Sequence, residues 1–544
     1  DEGKGMGTPQ NTLTRGASEA GDKSIQVENA SLYQVGVLVG VGMDAVGRLD
    51  IRQIEKINGN TLVFTEPLSN KHLKGEFVST EFVRYRWFAD SDFGITYWHD
   101  HVYGLTSWGH GLFGSTIIEP KGSTYHNPVT GEPVRSGNVV DIHTTEPVSS
   151  QVTGSFREFV MQIQDSNPTT ETQVVSGPVV NNRPGPEAKP HTINALGSMD
   201  SWSLPVNAFD YLNGGDRTSG GSFGMRVEPL HRRLLENSDA SMLFSSREHG
   251  DPDTPLVNAY LGDPIVIRSL AEAANESHTI HVQGHYFPLE RFLTGARPQS
   301  TAHVAIAERY DLVIPAAGGP QKKAGDYMYH SGRLSHFGEG MWGLIRVEDQ
   351  VREGLQTLPL RGIVPRSSTE VCPADAPKKH FDVIAMDFAL DLNPKAPDQI
   401  PAPSGTNRNL ILSNPEGKIY VLKSEVDALK AGTKRPHPLT LHVNVGDCIG
   451  VTLHNLLENE KASFHADMLA YDPNDSMGAN IGRNEGDQTV APGEHRNYTF
   501  YAHPEFGEAT ALITDYGKVT RNVRDGLYGS IIVGPQNSQY LDPV

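Results

Sequence analysis

The sequence predicts an all-β protein assembled from repeated sandwich domains. A Gly-rich turn leading into an apolar strand occurs three times, as Gly111-Leu-Phe-Gly-Ser-Thr-Ile-Ile, Gly340-Met-Trp-Gly-Leu-Ile-Arg-Val and Gly526-Leu-Tyr-Gly-Ser-Ile-Ile-Val. Recurrence over so long a period indicates repeated domains rather than solenoid units. Two domain openings also match: Gly262-Asp-Pro-Ile-Val-Ile and Gly446-Asp-Cys-Ile-Gly-Val are each followed, 19 residues after the first Gly, by a histidine, His281 and His465. Composition agrees, since 55 Gly and 36 Pro punctuate short β-branched runs, the pattern of sandwich strands.

Taken in order, residues 1–80 read as a small β module, with strand-like runs at Ser24-Ile-Gln-Val, Leu49-Asp-Ile-Arg and Leu62-Val-Phe. The module looks inserted in the first sandwich, whose remainder is residues 81–150 and which is therefore incomplete. A second sandwich is expected over 151–355, and a linker with a third over 356–544. A chain of 544 residues is long enough for three cores. Ser424 to Ala431 is the best short helical candidate.

Net charge −19 argues against a nucleic-acid partner. No run of 18 apolar residues is present, so no helical membrane span is expected. The chain starts at Asp1, which reads as a processed, exported product or a fragment of something longer. The expected location is periplasmic, cell-surface or extracellular. Cys372, in a Pro-rich linker, and Cys448, in a strand opening the third domain, are the two cysteines. A disulfide between them would remove about 4 kcal/mol of chain entropy from the unfolded state; one buried and one exposed thiol is the alternative.

The chemistry is carried by histidines. In Tyr97-Trp-His99-Asp-His101, two residues apart on a strand, both imidazoles face the same way. Such a pair is a half-site for a transition metal such as copper. The second domain holds His278-Thr-Ile-His281-Val-Gln283 and Tyr329-His330-Ser331-Gly332, followed by His336 and Met341.

With these motifs and spacings the chain resembles the multicopper oxidases, which are built of cupredoxin-like β-sandwiches. It is similar in particular to the later portion of a large bacterial member. The resemblance covers roughly residues 80–540 and implies tandem cupredoxin-like sandwiches, three in number with the first incomplete. It places His99, His101, His281 and His330 at four of the family's eight trinuclear-cluster positions. Gln283 and Gly332 stand at two more; the last two have no counterpart, because only His72 precedes His99. His278 and His336 fall on the type 1 imidazole positions, with Met341 near the axial one, but Ser331 stands where the family has its cysteine. His465 of the third domain takes the place of His281, and Asp467 that of Gln283.

Two functions are implied. In one, the chain is an exported copper protein, oxidising a small reductant or a metal ion with dioxygen as acceptor. Its sites would then be completed by an upstream segment of the same precursor or by another chain. In the other it is a non-catalytic scaffold or extracellular structural protein whose copper sites are lost. The first leads us to expect His99, His101, His281 and His330 to converge where the first two domains meet.

Overall fold

The computed structural model describes residues 11–541 apart from 44, 46–47, 81–86, 100–111, 165–221, 224–225, 274–276, 360–362, 392–398, 401–409 and 412. The chain divides into two compact units, residues 1–90 and 91–544. The first unit thus reaches ten residues past the expected module.

In the first unit, strands β1 (Asn11–Leu13), β2 (Ser24–Gln26), β3 (Leu38–Val41), β4 (Asp50–Asn58), β5 (Thr61–Phe64) and β6 (Phe77–Ser79) form one antiparallel sheet ordered β1-β6-β3-β4-β5-β2. A bridge between Thr14 and Val27 closes it on itself, which leaves no open edge. Val39, Val41, Leu62, Phe64 and Val78 fill the interior. His72 is fully buried, with Nδ1 2.7 Å from Glu76 and Nε2 2.9 Å from Asp50. Burial opposes ionisation of Asp50, but His72, the amides of Ser69 and Asn70, and Arg52 together hold its carboxyl below the usual range.

The second unit opens on a hairpin, β7 (Gly94–His99) and β8 (Phe113–Ile118), packed through Ile95 on Val160 and Leu270. Next come β9 (Thr124–His126), β10 (Val139–His143), β11 (Phe156–Gln164), β12 (Val257–Tyr260), β13 (Ile265–Ala273) and β14 (His278–Val282). β15 (Thr301–Val304), β16 (Arg309–Ile314), β17 (Gly325–His330) and β18 (Trp342–Glu348) follow. One sheet runs β16-β13-β11-β10-β9 and the facing sheet β12-β18-β17-β14-β15. Each carries one parallel pair, β11 with β13 and β12 with β18. β9 and β10 lie in the stretch expected to belong to the first sandwich, yet they extend a sheet of the second. β10 pairs antiparallel with β11 from Val139–Phe159 to Ile142–Phe156, and β9 pairs with β10 through Tyr125–Ile142.

The third sandwich repeats this plan with β19 (Lys378–Asp387), β20 (Lys418–Leu422), β21 (Leu439–Asn444), β22 (Cys448–Leu456), β23 (His465–Ala466), β24 (Ala470–Tyr471), β25 (His495–Tyr501), β26 (Ala509–Thr514) and β27 (Tyr528–Gly534). Its sheets are β20-β19-β22-β25-β24 and β21-β27-β26-β23. β19 pairs in parallel with β22, and β21 with β27. The fold is all-β, with tandem β-sandwiches.

The three Gly-aromatic-Gly turns occupy equivalent places. Each aromatic opens the second strand of a hairpin, opposite the last residue of the first: Phe113 faces His99, Trp342 faces His330, Tyr528 faces Thr514. The following glycine is required by contact. A Cβ at Gly343 would lie 2.3 Å from the Tyr329 ring, and one at Gly114 would lie 2.4 Å from Trp98. Short helices α1 (Leu334–Glu339) and α2 (Val519–Asp525) precede the second and third turns. Gly340 ends α1 at φ 116°, where a side chain would also strike the backbone of Glu228.

Cys372 and Cys448 are joined by a disulfide, Cα–Cα 5.7 Å. No helix among the described residues is long and apolar enough to cross a membrane.

Candidate metal centre

β14 and β17 are antiparallel neighbours, and their register sets His281 directly opposite His330. The two rings lie 4.9 Å apart, tilted by 54°. In the third sandwich the same register sets His465 opposite Thr514. Asp467, two residues beyond His465, reaches back to the second sandwich. Its Oδ1 stands 2.8 Å from Nε2 of His465 and 3.1 Å from Nε2 of His281. Three imidazoles and one carboxylate thus gather where the second and third sandwiches meet.

The outer nitrogens of these rings are already committed. Nδ1 of His465 lies 2.6 Å from the Met477 carbonyl and Nδ1 of His330 lies 2.8 Å from the Ser331 carbonyl. A carbonyl only accepts, so both rings carry their proton on Nδ1 and turn Nε2 inward. Nδ1 of His281 bonds Thr301 Oγ1 at 2.7 Å, while its Nε2 is turned to Asp467.

Electrostatics then sharpen the geometry. Burial works against ionisation of Asp467, yet the facing His281 and His465 outweigh it and keep the carboxyl well below the usual range. An anionic oxygen facing a nitrogen lone pair at 2.8 Å is repulsive. A cation, either a proton or a metal ion, must lie between them. Burial, with His281 second, pushes His330 down to about 3, so it stays neutral and keeps its lone pair.

Among the described residues, no three His, Cys, Asp or Glu side chains stand in ligating geometry as they are. The Asp467 oxygen itself occupies the space between two of the imidazoles. The donor set is nonetheless of the types, neutral imidazoles and a carboxylate, that suit copper or zinc. It does not fit a trinuclear cluster. Gln283 is turned away, donating from Nε2 to the Tyr516 hydroxyl at 2.7 Å. Gly332 donates its N–H to Thr279 Oγ1 at 2.7 Å, and a Cβ there would meet that oxygen at 2.5 Å. A side chain at residue 332 would displace the Thr279 hydroxyl.

The type 1 positions are assembled but chemically altered. His278 and His336 are fully buried and stack with centroids 4.9 Å apart. Ser331 and Met341 are buried beside them in a loop held by Ser331 N–H to Met341 C=O and Met341 N–H to His336 C=O, both 2.9 Å. Ser331 Oγ accepts from the Arg333 amide. Burial, and next to it His278, pushes His336 down to about 3. With a hydroxyl in place of a thiolate, these residues do not fit a blue copper ion.

Of the other expected ligands, His99 ends β7 and stacks on Tyr97 at 5.8 Å. His101 lies outside the described residues. The grouping seen is therefore His281 and His330 with the third sandwich. Asp467 is the residue whose part sequence reasoning missed: it was legible as a replacement for Gln283, but its reach across to His281 depends on how the sandwiches dock.

No family model and no curated protein matches the sequence. Among solved structures, the chain is similar to the laccase from Botrytis aclada at 12% identity and TM-score 0.25, over 92% of this chain and 78% of that one. It is also similar to the copper nitrite reductase from Nitrosomonas europaea at 14% identity and TM-score 0.18, over 54% of this chain and 90% of that one. Likenesses this distant carry no functional argument.

Proposed function

We propose that this chain is an exported copper-binding protein of the multicopper-oxidase type with one retained centre, formed by His281, His330, His465 and Asp467. The observation behind this reading is that Nε2 of His465 and Nε2 of His281 both face one oxygen of an ionised Asp467, with Nδ1 of His465 already spent on a carbonyl. When bound, copper would supply one-electron redox chemistry. His281, His330 and His465 would hold it through Nε2, and the Met477 and Ser331 carbonyls would keep two of those rings oriented. Asp467 would balance the charge. Tyr471 and Tyr516, edge-on to His465 at 5.5 and 5.4 Å, would exclude water.

Four-electron reduction of dioxygen would need a thiolate port and further imidazoles, which these residues do not supply. An oxidase using dioxygen and a small reductant would therefore require another stretch of polypeptide. Support for such a partner comes from the hairpins. β17–β18 and β26–β27 are flanked by strands on both edges, while β7–β8 has no strand partner among the described residues. The disulfide supports export, because such bonds persist in oxidising compartments. The scaffold reading is favoured by Ser331, Gln283 and Gly332, whose hydrogen bonds have closed the places of lost ligands.

Metal analysis with electron paramagnetic resonance separates the two readings. One copper is expected at this centre, with a tetragonal signal and no intense absorption near about 600 nm; His465→Ala should lose that copper and bind one equivalent fewer than the parent. Equal copper stoichiometry and an unchanged spectrum in the parent and in folded His465→Ala would instead support the scaffold.

A further inference from the structure

A second set of histidines lies on the opposite sheet of the third sandwich, on its solvent face. β22 and β25 set His454 directly opposite His495. The rings stack with centroids 5.5 Å apart and planes 29° from parallel. On the other side of β22, strand β19 presents Asp382, whose Oδ1 is 3.4 Å from Nε2 of His454. Two imidazoles therefore lie in one row, and a carboxylate reaches His454 diagonally from the adjacent row, where Asp382 pairs with Thr452.

Their setting distinguishes them from scattered surface groups. Beneath the row, Ile449, Val451 and Leu453 are fully buried, so β22 is a fixed platform. Above it the side chains remain accessible: His495 is exposed, Asp382 is 48% exposed and His454 is 25% exposed. The other polar side chains around Asp382 in the adjacent rows are paired with one another. Thr452 Oγ1 donates to Asn497 at 2.7 Å and faces His380 Nε2 at 3.3 Å. Among His454, His495 and Asp382, by contrast, the one polar contact is the long His454–Asp382 pair.

We propose that His454 and His495 chelate a borderline divalent transition ion such as Zn2+, Cu2+ or Ni2+, with Asp382 as third ligand directly or through water. Two imidazole nitrogens on one ion at about 2.0–2.1 Å stand roughly 3–3.5 Å apart. Opposed residues of an antiparallel pair have Cβ atoms about 4.5–5.5 Å apart, which lets exposed rings turn their edges inward to that separation. The carboxylate compensates charge, and water can fill the remaining positions. The site would clamp β19, β22 and β25 together, independently of the interior cluster on the facing sheet.

Zinc titration by calorimetry tests this on the whole chain. The His454→Ala and His495→Ala variants should each bind one equivalent fewer than the parent, whether or not the interior cluster also takes zinc. Asp382→Asn should keep the equivalent but weaken it about tenfold, the loss expected for a supporting partner. Because all three side chains reach the surface, circular dichroism should show the variants folded; His495→Asn provides a milder change if His495→Ala does not fold. Equal stoichiometry and affinity in the parent and in folded His454 and His495 variants would overturn the proposal. Failure of the interior copper site would appear instead in His465→Ala, which leaves the surface row intact.

Discussion

The second and third sandwiches share strand order and register, yet they have treated the same positions in opposite ways. His281 faces His330 in one; His465 faces Thr514 in the other. Ser331 follows His330, where Asp515 follows Thr514. Asp515 is fully buried and accepts from the amides of Ser463 and Lys518 and from Asn522. The third sandwich thus carries a hydrogen-bonded carboxylate after a threonine where the second carries a serine after an imidazole. The imidazoles His281, His330 and His465 gather where the two sandwiches touch, with Asp467 bridging His465 and His281 across the contact.

The largest test of this contrast is Asp467→Ala. It leaves His281 and His465 without their shared counter-charge, and removal of one member of a buried ion pair costs about 3–5 kcal/mol. Denaturant unfolding should show that loss as a lower midpoint. A shift under 1 kcal/mol would mean the pairing is incidental.

Acid titration should separate the sandwiches next. Burial pushes His285 of the second sandwich down from 6.5 to about 4. Its contribution is complete above the unfolded value and is lost as pH falls toward 4, about 3 kcal/mol in all. Burial pushes Asp515 of the third up from 3.8 to about 6. That contribution has the reverse sign, complete below 3.8 and lost as pH rises through 6. Hydrogen exchange against pH, on the parent and on His285→Gln and Asp515→Asn, should show the two slopes vanish separately.

A smaller effect is expected from Asp515→Asn at low pH, where the acid is already neutral: about 1 kcal/mol for one altered hydrogen bond. The smallest in energy is Ser331→Cys. It should leave stability within about 1 kcal/mol but, with copper added, produce an intense band near about 600 nm. Absence of that band would show that His278 and His336 no longer hold ligand geometry.

Much of this architecture could be read from the residues. The repeated glycine-aromatic turns located three equivalent hairpins, and the shared spacing to His281 and His465 anticipated their common register. Periodicity and spacing are local, so they survive in one dimension. What escaped was set by packing between distant segments. The capture of β9 and β10 by the second sandwich, the Asp467 contact with His281, and the burial of His72 between Asp50 and Glu76 leave no signature in spacing.

The Cys372–Cys448 bond also defines a mechanical path. Tension entering from the second sandwich through the linker passes across the sulfur bridge straight into β22. Residues 373–447, including β19, β20 and β21, form a loop that carries none of that load. Under pulling, those three strands should be the last of the chain to lengthen, and a reducing agent should release the hidden length of 76 residues in sequence separation.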